Sequence, residues 1–154
     1  RKIQSKMLFN NDKAFLEKVL SETPPNPKPK FLPMVPDLGP IGDWGYPTSA
    51  EKSAHFYTYS VFPWITAQRN NFEIDTVLVD GRWRVACVIT SICFSKRPIK
   101  ILLDDYDERP FYHGVEGIAG PPKMVGRIAV FNVDPKNIPA QFILENLHMF
   151  ADPR

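Results

Sequence analysis

The sequence predicts a mainly β domain with a few helices, organised around a small, strongly bent barrel over about residues 75–115. Three observations predict it. Asp80-Gly81 sits between two β-prone runs and is among the strongest short hairpin signals. Trp83–Phe94 carries Val85, Val88, Ile89 and Ile92 and reads as one long or sharply bent strand. Ile99, Ile101 and Leu103 alternate with Lys100, Leu102 and Asp104, the period of a half-buried strand. With turns at 95–98 and 105–109 and a fourth strand at Phe111–Val115, four short antiparallel strands would hide their edges by closing on themselves.

A chain of 154 residues that is 44% hydrophobic and 23% charged reads as a single compact domain, 1–154. At this length folding buries roughly 70% of the unfolded surface, enough for a core without staples. A net charge of +2, with Lys and Arg scattered, leaves no basic stripe to favour nucleic acid. Cys87 and Cys93 share one parity on the expected strand, about 20 Å apart, too far to bridge. They are expected to be reduced thiols in an intracellular, cytoplasmic protein. No apolar run approaches a membrane span and no signal peptide is visible, so no membrane contact is expected. A start at Arg1 rather than Met is expected of an excised domain.

Taken in order, Arg1–Phe9 alternates loosely as a short strand or tail, with Ile3, Met7 and Phe9 on one parity. Asn10 or Asn11 offers an N-cap with Asp12 in the first turn, and Phe15, Leu16, Val19 and Leu20 form the stripe of a short helix. Pro24 and Pro25 end it. Residues 24–47 hold eight of the sixteen prolines. They read as a connector packed on the surface, because Phe31, Leu32, Met34, Val35, Leu38, Ile41 and Trp44 interleave them. The alternative is a polyproline ligand for a proline-reading domain. Thr48-Ser49-Ala50-Glu51 has the spacing of a capping box. His55–Gln68, aromatic and β-branched but broken by Pro63, reads as two short strands or a broken edge strand. Beyond the barrel, Lys123–Val133 reads as one strand with Val125, Arg127, Ala129, Phe131 and Val133 on one face. Asn137–Phe150 reads as a helix with Pro139 in its first turn; together, 123–150 closes the domain.

Asp104, Asp105, Asp107 and Glu108 place four carboxylates in five positions around Tyr106. Strand alternation would send neighbours to opposite faces, so a solvated acidic turn, or one that reads a basic peptide, is expected in place of a metal site. His55, His113 and His148 are dispersed, and no Ser or Cys stands in a nucleophile elbow. A small-enzyme reading needs His113 gathered with Asp104 or Glu116. Gly114, Gly117 and Gly120 lack the spacing of a phosphate loop. No catalytic residue, metal or cofactor is expected.

Asp80-Gly81, Arg82-Trp83-Arg84-Val85-Ala86 and Leu103-Asp104-Asp105-Tyr106-Asp107-Glu108 resemble the turn, Trp-aromatic-Arg-Ala run and acidic strand end of a Tudor domain. Pro121-Pro122, Phe131–Pro135 and the helix Asn137–Phe150 resemble the downstream part of an extended Tudor domain. There, strands like those of the oligonucleotide-binding fold wrap the Tudor barrel; Arg1–Phe9 and Tyr57–Gln68 would supply them. The resemblance covers about half the chain. Val77, Arg84 and Leu103 stand where cage aromatics usually stand, Tyr106 alone remains, and Glu108 replaces the family's asparagine. Arg84 would repel a methylated cation, so methylarginine reading is not expected. The resemblance then implies a non-catalytic adaptor that binds an unmodified peptide or protein through Trp83, Arg84, Leu103, Asp105, Tyr106 and Glu108. The setting it implies is a small-RNA silencing assembly in a perinuclear germ granule. The alternative is a barrel for single-stranded nucleic acid, stacking bases on Phe56, Tyr57, Tyr59 and Trp64.

Overall fold

The computed structural model describes residues 5–23 and 30–154. Two parallel strands, β1 (Ser5–Phe9) and β2 (Lys30–Met34), pair in one small sheet, with helix α1 (Lys13–Ser21) between them in sequence. The N-cap of α1 is Asp12, whose carboxylate accepts the Phe15 N–H at 3.0 Å; neither Asn10 nor Asn11 takes that place. Asn11 is instead buried and donates to the Gly45 carbonyl at 2.8 Å, pinning the 41–47 loop against the start of α1. Thus the proline-rich connector contains a strand, and its stretch 24–29 lies outside the described residues. The capping box at Thr48–Glu51 does not form, since the Thr48 hydroxyl donates to the Pro40 carbonyl.

The main sheet is open, not a barrel. Its order is β3 (Thr76–Val79), β4 (Ile99–Leu103), β6 (Ile128–Val133), β5 (Lys123–Val125). β3 and β4 run parallel, with Val79 opposite Leu103, and are joined by helix α3 (Arg84–Phe94). β4 and β6 are antiparallel, as are β6 and β5. A parallel pair needs such a crossover, and that is where the mainly β expectation fails. Asp80-Gly81 is the entry to a helix, not a hairpin. Val85, Val88, Ile89 and Ile92, read as a β-branched strand, are also spaced i, i+3, i+4, i+7, and all four are buried on the sheet. Tertiary burial outweighed their β propensity.

His55–Gln68 is corrected in the same way. Helix α2 (Thr58–Arg69) runs through Pro63 at the cost of one backbone hydrogen bond and packs on α3. Phe111–Val115 lies in a 3-10 segment, Pro110–Val115, followed by α4 (Glu116–Ala119). The single strand expected over Lys123–Val133 is a hairpin turning at Gly126, whose φ of 59° suits glycine. Its inward parity of Ala129, Phe131 and Val133 holds, as does that of Ile99, Ile101 and Leu103. The closing helix is α5 (Ala140–Glu145) plus a 3-10 turn at Leu147–Phe150, with Pro139 at the N-cap. An open mixed sheet with helices leaves no Tudor barrel. No helix among the described residues is long and apolar enough to cross a membrane.

Candidate functional site

In open α/β sheets the chemistry collects where parallel strands end, because the strand-to-helix turns there carry side chains that the sheet holds in place. β3 ends in Asp80 and β4 in Asp104-Asp105, so three carboxylates meet at adjacent strand ends. Both exits pass through a left-handed residue, Trp83 with φ 49° and Asp105 with φ 54°. Such conformations are unfavourable for bulky side chains, so the surroundings must impose them. Trp83 is held between Phe56 and Tyr59, ring centroids 5.1 and 5.0 Å away, and its backbone N–H donates to the Pro153 carbonyl at 3.3 Å.

Arg84, 3% exposed, ties the two strand ends together. Its Nε donates to Gly81 O at 2.9 Å and its Nη1 to Asp104 O at 2.8 Å and to the Asp105 carboxylate at 3.1 Å. Its Nη2 lies 3.5 Å from Asp80 Oδ1. Asp105 also takes Arg109 at 3.1 Å and Arg127 at 3.3 Å. Asp104 Oδ2 accepts from Arg127 at 2.7 Å. The other oxygen, Asp104 Oδ1, is buried and has no partner among the described residues, and the Asp80 carboxyl neighbours the Asp104 side chain.

Two carboxyls in contact cannot both be ionised without cost. Burial, and then the hydrogen bond to Asp104, push Asp80 above the usual carboxylate range. For Asp104, burial acts in the opposite sense to the outcome. The Asp105 N–H, the Asp80 carboxyl and Arg127 outweigh it and hold Asp104 below that range. The pair therefore keeps one proton, on Asp80, further up the pH scale than a lone carboxyl would.

Three buried side-chain polar atoms lack a partner among the described residues: Arg82 Nε, Trp83 Nε1 and Asp104 Oδ1. All belong to the turns that leave β3 and β4. Buried polar atoms are nearly always paired, so this concentration makes the strand ends the candidate site.

Of the six residues expected to contact a partner, Trp83, Arg84, Leu103 and Tyr106 are 3% exposed or less, Asp105 is half-buried within the arginine cluster, and Glu108 is exposed. They do not form one face. Arg84 lies on a helix and Leu103 in the core, so the cage positions assigned by the Tudor resemblance do not describe this molecule. Of the stacking aromatics, Phe56, Tyr59 and Trp64 are buried and only Tyr57 is exposed, which removes the oligonucleotide-binding alternative. His113 Nε2 lies 3.2 Å from the Tyr106 carbonyl, while the Glu116 carboxylate accepts the Tyr106 hydroxyl at 2.5 Å. No His–carboxylate dyad is present there. Burial, then Glu116, push the Tyr106 phenol up. No group of three or more His, Cys, Asp or Glu able to hold a metal occurs among the described residues. Asp80, Arg82 and Arg127 were not expected as site residues. The available signal was the carboxylate directly after a strand; its arginine partner, 23 positions beyond Asp104, was not legible locally.

A methyltransferase-like protein from Silicibacter pomeroyi, solved by crystallography, matches this fold with a TM-score of 0.88, at 33% sequence identity, over 97% of this chain and 78% of that one. No protein-family model and no curated protein matches the sequence. The likeness replaces the Tudor-type, non-catalytic adaptor, and with it the small-RNA silencing and germ-granule setting that the resemblance implied.

Proposed function

This chain belongs to the methyltransferase-like family, and from that premise we propose that it is an enzyme whose reacting centre lies at the carboxyl ends of β3 and β4. Asp80 takes a proton there from the acceptor's nucleophile. The observation that carries this reading is the pairing of Asp80 with Asp104 at the two strand ends, in which burial and the neighbouring carboxylate favour a proton on Asp80. Asp80 is more than half exposed and so reachable. Asp104, fixed by Arg127, raises the proton affinity of its neighbour. A carboxylate so tuned is a stronger base than a free one. As it acts, the acceptor's O–H or N–H bond breaks and an Asp80 O–H bond forms.

The family implies a methyl donor, and a donor built on a nucleoside needs a free carboxylate for its sugar hydroxyls and an enclosed slot. All three strand-end carboxylates are engaged by arginines or by each other. A groove of about 380 Å³, between Thr76, Ile99 and Val133, opens at the opposite end of the strands. The described residues do not by themselves fit such a donor. What they provide is the acceptor side.

The test is transfer of a tritiated methyl group from S-adenosylmethionine to pools of small-molecule acceptors. Removal of a general base is expected to lower the rate about a hundredfold in Asp80→Asn. Asp104→Asn should shift the rise of the rate with pH to lower pH. No incorporation into any pool, or an unchanged rate in Asp80→Asn, would sink the reading.

A further inference from the structure

Five arginines stand around the strand ends, and four have carboxylates: Arg84 with Asp80 and Asp105, Arg109 with Asp105, Arg127 with Asp104 and Asp105, Arg154 with Asp152. Arg82 does not. It is 8% exposed, its guanidinium carbon lies 4.4 Å from the centre of the Tyr46 ring, and its buried Nε has no acceptor. No carboxylate among the described residues pairs with it. Residues 1–9 and 24–31 contain no Asp or Glu at all. An arginine this buried, with no counter-charge among the described residues, is costly, and the ring face of Tyr46 offsets only part of that.

Its position is nevertheless well fixed. The Arg82 N–H is held by the Tyr59 hydroxyl at 3.3 Å, the Arg82 carbonyl accepts from the Cys87 thiol at 3.7 Å, and Trp83 follows in its imposed left-handed conformation. Tyr46 is carried by a loop closed by the Ile41–Pro47 bridge and by the Gly42 N–H to Tyr46 O bond at 2.8 Å. A cation kept in place with no counter-charge among the described residues, two positions along the chain from the proposed base, is an arrangement that an incoming anion completes.

We propose that Arg82 is the receptor for an oxyanion of the acceptor, a carboxylate or a phosphate, bound side-on through Nε and one terminal nitrogen. This rests on the acceptor site proposed above and names its chemical class. The planar fork of arginine matches both oxyanions in this two-point geometry, and the bond through Nε satisfies the orphaned donor. The base Asp80 stands two positions before the anchor in the chain, which suits an acceptor whose nucleophile and anionic group belong to one small molecule.

The experiment is a calorimetric titration of the protein, at low ionic strength and without methyl donor, with sodium phosphate, sodium acetate and uncharged acetamide. Saturable binding of phosphate or acetate but not acetamide is expected, and which of the two binds more tightly distinguishes a phosphorylated from a carboxylated acceptor. Arg82→Gln should weaken that binding at least about tenfold, the loss of a charge-assisted pair. If Arg82→Gln does not fold, Arg82→Lys decides, since it keeps the charge and loses the fork; about tenfold weaker binding is expected. Absence of oxyanion binding in the wild type, or unchanged binding in a folded Arg82 variant, overturns the proposal. Binding is read without turnover, so a failed titration leaves the methyl-transfer result standing, and the reverse.

Discussion

The hydroxyl of Tyr59 occupies the space where a side chain on residue 81 would begin: a Cβ on Gly81 would lie 2.0 Å from that oxygen. Gly81 is thus required for close approach, not for a left-handed turn, which falls instead on Trp83. The same hydroxyl accepts the N–H of Arg82, so one contact positions the start of α3 and the proposed anchor together.

Gly81→Ala is therefore expected to destabilise the fold by about 1–3 kcal/mol, the range for forced overpacking. Tyr59→Phe in the same chain should recover part of that loss, because the ring carbon, at 3.2 Å, is less obstructive than the oxygen. Urea unfolding of the two single variants and the double variant measures the coupling. Additive losses would show that Gly81 matters for another reason.

Arg84 is buried and joins the ends of β3 and β4 through three backbone carbonyls and two carboxylates. Arg84→Ala leaves those groups without their cation and is expected to cost about 3–5 kcal/mol. Arg84→Lys should cost less, since it keeps the charge but cannot donate in several directions at once. The unfolding midpoint reports both, and equal losses would count against the bridging role.

Burial pushes the Cys87 thiol up to about 12, whereas in an unfolded chain it titrates near 9. Between those values the unfolded state binds fewer protons than the folded one, so this group's contribution to stability falls as pH rises through that window. The wild type should lose unfolding midpoint between pH 8 and pH 10 more steeply than Cys87→Ala. Parallel slopes would show that the thiol is not protected. Exposed Cys93 should also react with a thiol reagent at least about tenfold faster than Cys87, read by mass spectrometry.

The apolar periodicities were legible in the sequence. Ile99, Ile101 and Leu103 face inward on β4 as their alternation predicts, and Val85, Val88, Ile89 and Ile92 carried a helical spacing beside their β propensity. By β propensity alone residues 84–94 read as a strand, and with a strand there Asp80-Gly81 reads as a hairpin, β3 and β4 as antiparallel, and the domain as a barrel. A helix with β-branched residues is stable only because a sheet covers its stripe, which local preference does not record.

By itself, the sequence determined which residues are apolar at which period, that Gly81 punctuates the chain, and that carboxylates gather after Leu103. Only the tertiary structure decided that Asp80 meets Asp104, that Arg127 reaches both Asp104 and Asp105, and that Arg82 rests on Tyr46 with no carboxylate partner among the described residues. The reason is physical. Periodicity is a property of neighbours along the chain, set by backbone geometry. Charge pairing and desolvation depend on which strand ends the parallel crossover brings side by side.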